Sequence, residues 1–201
     1  LLLPFSLRLV TTCHGASFHL ARAKSDMLEL EQIHVAYREK RTIEDSDVTV
    51  FPTNFLKDSY KKVGIAELDK KNKIIKRLPF DLSRIPSGRP LVGYKRIVYI
   101  GKTSSIKGFD IFLNSLIKLA SDHPEIAQKI ETVTCIVTST GIVEKPIGKL
   151  YSIVSELFNI EIISLSREGL LDFLAKSSED SLALVTYPGD NHPTVILELM
   201  A

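Results

Sequence analysis

The sequence predicts an α/β protein with two parallel-sheet domains, each incomplete in this chain. Short apolar runs alternate with stretches of helical apolar spacing from Leu7 to Ile75, and the alternation restarts at Arg96 and continues to Ala201. Between them, residues 83–95 hold two prolines and two glycines without an apolar period, the best linker in the chain. With 44% hydrophobic and 25% charged residues, the 201-residue chain can bury real cores. The domains so read are residues 1–82 and 96–201.

Leu7 to Thr12 reads as a strand leading into Cys13-His14-Gly15. Open α/β sheets bind ligands at the carboxyl ends of their strands, so His14 stands where chemistry can occur; the plainer alternative is a loop histidine bonded to its neighbours. Met27, Leu30, Ile33, His34 and Tyr37 recur at helical spacing among charged residues, which predicts an amphipathic helix with His34 structural. Val48 to Phe51 is a strand, Pro52-Thr53 opens a short helix through Tyr60, and Ile74-Ile75 is a small strand. The opening LLLPFSLRLV is too short to cross a bilayer and contains Arg8, so it reads as part of a buried strand region. With no initiator Met and a last helix cut at Ala201, the sequence reads as an internal fragment.

In the second run, Ile97 to Ile100 is a strand, and from Phe109 the apolar residues fall on one helical face at 109, 112, 113, 116, 117 and 120. Val133 to Val137 is the next strand, and Ile147, Leu150, Tyr151, Val154, Leu157 and Phe158 mark a helix. Ile160 to Leu165 is a strand ended by Ser166-Arg167-Glu168, a helix-starting combination. Leu182 to Thr186 follows as a strand, and right-handed crossovers make the sheet parallel.

A net charge of +2 without a dense basic block argues against nucleic acid. Cys13 and Cys135 are far apart and form neither a disulfide framework nor a zinc pattern, so a reducing cytoplasm is the default compartment.

Two stretches carry chemistry. The first joins the strand at Ile100 to the helix at Phe109 through a loop that opens with Gly101-Lys102 and closes with Lys107-Gly108. A helix start offers backbone N–H groups and partial positive charge, so with two lysines beside it the turn suits a diphosphate. It is not a P-loop: that motif needs a glycine five residues before Gly101, and the residue there is Arg96. The plainer alternative is a crossover with solvated lysines. The second stretch runs from Val185 through Tyr187-Pro188-Gly189 to Asp190 and Glu198, with Pro193 in the first helical turn. Paired carboxylates accept hydrogen bonds from vicinal hydroxyls such as those of sugars and riboses; alternatively Asp190 caps the helix and Glu198 is a surface acid.

Taken together these residues resemble the group 1, glycogen-synthase-like retaining glycosyltransferases, whose GT-B fold has two Rossmann-like domains. The family's G-R/K, short loop and K-G before a helix is matched by Gly101-Lys102 and Lys107-Gly108, and its E-x7-E motif by Asp190 through Glu198 followed by Leu199-Met200-Ala201. The motifs occur in the right order about ninety residues apart, and the resemblance covers the second half; the first half matches in architecture and at His14-Gly15. The resemblance implies that residues 1–82 belong to an acceptor-side domain and 96–201 to the nucleotide-sugar domain. It implies that Lys102, Lys107 and Gly101 hold the donor's diphosphate, Glu198 the ribose and Asp190 the transferred sugar. Leu165 would border the base, and His14 would face the reacting centre. The partners implied are a nucleotide sugar as donor substrate, with no separate cofactor, and a glycan or lipid-linked acceptor; with the latter, contact would be peripheral, at the inner face of a membrane.

Departures from the pattern are Asp190 for the usual glutamate, His192-Pro193 for Phe-Gly, and Leu78-Pro79-Phe80-Asp81 where the family has Asn-Gly. They leave open a second reading, a module of the same fold that binds nucleotide sugars without transferring them. Asp45-Ser46-Asp47 matches the metal motif of another class of sugar transferases, but it precedes its strand instead of following it, so it reads as a solvated turn and no metal is expected.

Overall fold

The computed structural model describes residues 8–15, 30–62, 72–77, 92–137, 145–187 and 199. The chain divides into two compact units whose described parts lie within residues 8–77 and within 92–199.

In the first unit, β1 (Val10–Thr12), α1 (Leu30–Asp45), β2 (Val48–Phe51), α2 (Asn54–Lys62) and β3 (Asn72–Ile75) follow one another, and the strands pair in parallel in the order β1-β2-β3. Thr53 starts α2 by accepting the Leu56 N–H at 3.1 Å, and Lys61 and Lys62 face the negative end of the helix dipole. Leu56 and Tyr60 of α2 pack with Phe51, Ile43 and Cys13, and the Tyr60 ring meets Phe51 edge-on at 5.7 Å.

One expectation changes here. Residues Leu30, Ile33 and Tyr37 of α1 are exposed, and only Ile43 among its described residues is buried, because the last turns of the helix are the part that reaches the sheet. Asp45 and Asp47 are exposed, as expected of a solvated turn, but the residue between them is anchored. Ser46 is fully buried, donates to the Thr42 carbonyl at 2.5 Å and meets the Thr11 hydroxyl at 2.6 Å, while Asp47 accepts the Leu9 N–H at 2.7 Å. These bonds fasten the end of α1 to β1.

The second unit contains β4 (Arg96–Ile100), α3 (Phe109–Asp122), α4 (Pro124–Ala127), β5 (Thr132–Val137), α5 (Lys145–Leu157), β6 (Ile160–Ser164), α6 (Arg167–Ser177) and β7 (Ser181–Ala183). The four strands among its described residues are all parallel, in the order β6-β5-β4-β7. Successive residues of β4 point to opposite faces, and both faces are covered, which explains why the run is apolar without alternation. Ile97 and Tyr99 join Phe109, Phe112, Leu113 and Leu116 of α3 and Ile147 and Val154 of α5 on one face. Val98 and Ile100 join Ile136 and the side chains of α6 on the other. Burying each of these large side chains stabilises the fold by about 1.5–3 kcal/mol. The sequence pattern does not foresee the one-turn α4, which begins with Pro124 in its first turn.

Among the described residues no helix is long and apolar enough to cross a membrane.

Candidate functional site

The loop after β4 lies at the carboxyl end of the central strand pair, and its shape is set by backbone bonds and two tyrosines. The Gly101 N–H extends the ladder by donating to the Ile136 carbonyl at 3.0 Å. The chain then makes a single 3₁₀ turn, Ser105–Lys107, before Gly108 hands it to α3. The N–H groups of Lys107, Gly108 and Phe109 donate to the carbonyls of Ser104, Ser105 and Ser104 at 3.0, 3.0 and 3.2 Å. The backbone entering α3 is thus tied to the 3₁₀ turn as far as Phe109, the first residue of the helix. Beside this helix start stand two cations, Lys102, whose side chain is exposed, and half-buried Lys107.

Beneath the turn lies Tyr99, fully buried against Phe109 and Phe112 at 4.9 and 5.0 Å between ring centroids. Its hydroxyl is shared between the carbonyls of Lys102, at 2.8 Å, and Lys107, at 3.1 Å. Burial first, then the neighbouring Tyr187, pushes the Tyr99 phenol well above its usual range, so it stays protonated as a donor.

The segment after β7 closes the turn from the other side. The Leu184 N–H donates to the Val98 carbonyl at 2.9 Å, and the Thr186 hydroxyl donates to the Gly108 carbonyl at 2.8 Å. Gly108 has φ +69°, and a Cβ there would lie 1.9 Å from the Thr186 carbonyl oxygen, so only glycine fits. The Tyr187 hydroxyl donates to the Ile100 carbonyl, and the Lys107 ammonium sits 4.7 Å from the centre of the Tyr187 ring. A Cβ at Gly101 would come within 3.0 Å of the Tyr187 hydroxyl and 3.1 Å of the Tyr99 hydroxyl.

Gly101, Lys102 and Lys107 thus share one rigid turn. Leu165 follows β6 on the same sheet, half-buried in the cluster with Val98, Ile100 and Ile136. Asp190 and Glu198 lie outside the described residues. In the first unit, His14 is exposed at a bend after β1, between two anchored neighbours. Buried Cys13 donates its N–H to the Val50 carbonyl at 2.9 Å, and the Gly15 carbonyl accepts from Tyr60 at 2.8 Å. Tyr60 is itself held by Glu39 at 2.5 Å. Sequence reasoning missed Tyr99, Thr186 and Tyr187. The signal for Tyr99 was a tyrosine inside an apolar strand, whose buried hydroxyl must find a partner.

No family model matches the chain, and no curated protein is similar to it in sequence. Solved structures are similar to it in fold. TarM matches with a TM-score of 0.64 at 10% identity, over 98% of this chain and 35% of TarM. OtsA, in its apo structure, matches with a TM-score of 0.64 at 11% identity, over 96% of this chain and 50% of OtsA. The fold is of GT-B type. The pneumococcal O-GlcNAc transferase GtfA, solved with UDP and GlcNAc, matches with a TM-score of 0.51 at 12% identity, over 81% of this chain and 30% of GtfA. The chain therefore spans between about a third and a half of the proteins it resembles, and identities this low carry the GT-B architecture alone.

Proposed function

We propose that the protein of which this chain forms part is a retaining glycosyltransferase that moves a sugar from a nucleotide-diphosphate sugar to a hydroxyl of a glycan or glycolipid without a metal. The observation that carries this reading is the lysine turn at the carboxyl edge of a parallel GT-B sheet, with Lys102 exposed and Lys107 held on Tyr187. Such edges are where open α/β sheets take ligands. As the bond between sugar and diphosphate breaks, negative charge grows on the leaving phosphate and the sugar becomes cation-like. Fixed hydrogen-bond donors aimed at the developing charge are worth roughly 3–4 kcal/mol each in well-studied sites. In this reading Lys102 and Lys107 meet the phosphates, Asp190 and Glu198 the sugar and ribose hydroxyls, Leu165 the base, and His14 the acceptor side.

The second reading, a binding module without transfer, is favoured by Pro193, which removes a backbone donor next to the sugar-facing acid. Titration with a panel of nucleotide sugars, by calorimetry on the full-length protein, tests both. Donor binding weakened severalfold or more by Lys102→Ala and by Glu198→Ala supports the site, and unchanged affinity refutes it. Slow hydrolysis of a bound donor supports the transferase. Tight binding without turnover in the presence of acceptors supports the module.

A further inference from the structure

The geometry points to Tyr187 as a positioning residue that sets where Lys107 presents its charge, an inference that rests on the donor-binding reading of the turn. Three observations meet at this side chain. Its hydroxyl is tied to the Ile100 carbonyl, the last residue of β4. One edge of its ring lies against Gly101, where an added Cβ would meet the hydroxyl at 3.0 Å and a ring carbon at 3.3 Å. The Lys107 ammonium stands over the ring, 4.7 Å from its centre. The ring therefore fills the space between the first glycine of the turn and its last lysine, while Tyr99 and Thr186 hold the backbone around it.

A lysine has four rotatable bonds, and a solvated one spreads its charge over a wide volume. Fixing that charge on a π face removes this freedom before a ligand arrives, so less must be ordered on binding. A cation–π contact takes up one face of the ammonium. Tyr187 also comes directly before Pro188-Gly189-Asp190, so the residue that orients the lysine belongs to the segment that continues into the carboxylate motif.

Two roles are separable within the one side chain. The hydroxyl anchors the ring, and the ring holds the cation. Tyr187→Phe keeps the ring and removes the anchor; Tyr187→Leu removes both. Calorimetric titration of the full-length protein with UDP and GDP should show wild-type affinity within about threefold for Tyr187→Phe. It should show a roughly fivefold to thirtyfold loss for Tyr187→Leu, the range a partly desolvated cation–π contact represents. Lys107→Met should cause a comparable loss, and the double variant Lys107→Met with Tyr187→Leu should lose no more than the worse single one.

Because leucine could disturb the packing around Ile100, the decisive series replaces Tyr187 with phenylalanines of increasing fluorination. These keep the shape and withdraw charge from the ring face. Affinity falling stepwise with fluorination supports the inference, and a flat series overturns it. Independently of any nucleotide, the terminal methylene protons of Lys107 should show an upfield ring-current shift in NMR spectra of wild type and Tyr187→Phe; its absence in wild type overturns the inference. If Lys107→Met weakens binding while Tyr187→Leu and the fluorinated series do not, the role of Tyr187 fails and the donor reading stands. If wild type binds no nucleotide, or Lys102→Ala and Lys107→Met both leave affinity unchanged, the donor reading fails and takes this inference with it.

Discussion

Replacing Gly108 by alanine tests the closure of the turn most directly, because two separate penalties fall on one methyl group. The backbone there has φ +69° and ψ 27°, a left-handed conformation that costs a residue with a Cβ about 1–2 kcal/mol. The new Cβ would also lie 1.9 Å from the Thr186 carbonyl oxygen and 2.7 Å from its carbon, so the segment after β7 must retreat. Overpacking of this kind costs about 1–3 kcal/mol, and a retreat also stretches the Thr186 to Gly108 hydrogen bond. The combined loss is roughly 2–5 kcal/mol, a large share of the stability of an ordinary domain. In urea titrations followed by far-ultraviolet circular dichroism, the midpoint should fall by on the order of 1–2 M. Gly148→Ala is the matched control: that glycine lies inside α5 with nothing within 4 Å of the added methyl, so its replacement should raise stability by about 0.5–1 kcal/mol. A Gly108→Ala protein with the wild-type midpoint would refute the described contact between the turn and Thr186.

The buried thiols predict an alkaline limit. Burial, more than any other cause, raises Cys13 to about 11 and Cys135 to about 12, from an ordinary 9.0. Because the folded state favours the neutral thiols, their contribution to stability is complete below about pH 9 and is lost as pH rises through 11 and 12. Urea midpoints should be insensitive to these groups up to pH 9 and fall above it. At pH 8 alkylation of Cys13 should be slowed roughly a hundredfold by its lower thiolate fraction alone; labelling as fast as in the urea-unfolded chain would contradict the burial. Ser166→Ala removes the side-chain oxygen that accepts the Gly169 N–H at 3.1 Å at the start of α6, and a loss of about 1 kcal/mol in the same titrations is expected.

How far the sequence could be read depended on how local the determining contacts are. The strand at Ile97, the turn and α3 were legible because both faces of β4 are buried and the apolar spacing of α3 reports its one covered side. Ser166 was legible because a cap acts over three residues. The lysines and glycines of the turn could be named, but not what shapes them. Thr186 is 78 residues from Gly108, and Tyr187 is 87 from Ile100, so no window of sequence brings them together. The stripe on α1 misled because periodicity reports a helix whether or not a partner covers it, and the bond that anchors Ser46 between two exposed acids reaches Thr11 across 35 residues, beyond any window of sequence. The 3₁₀ turn that leads into α3, with the Ser105 and Ser104 carbonyls accepting from Gly108 and Phe109, leaves no mark in the apolar spacing.

Because a single phenolic proton on Tyr99 is divided between the carbonyls of residues 102 and 107, it acts as a gauge for the stretch between them. One inserted residue would lengthen the path by up to about 3.8 Å, more than a hydrogen bond tolerates, and one deletion would shorten it as much. The number of residues in that interval is fixed by the reach of one hydroxyl.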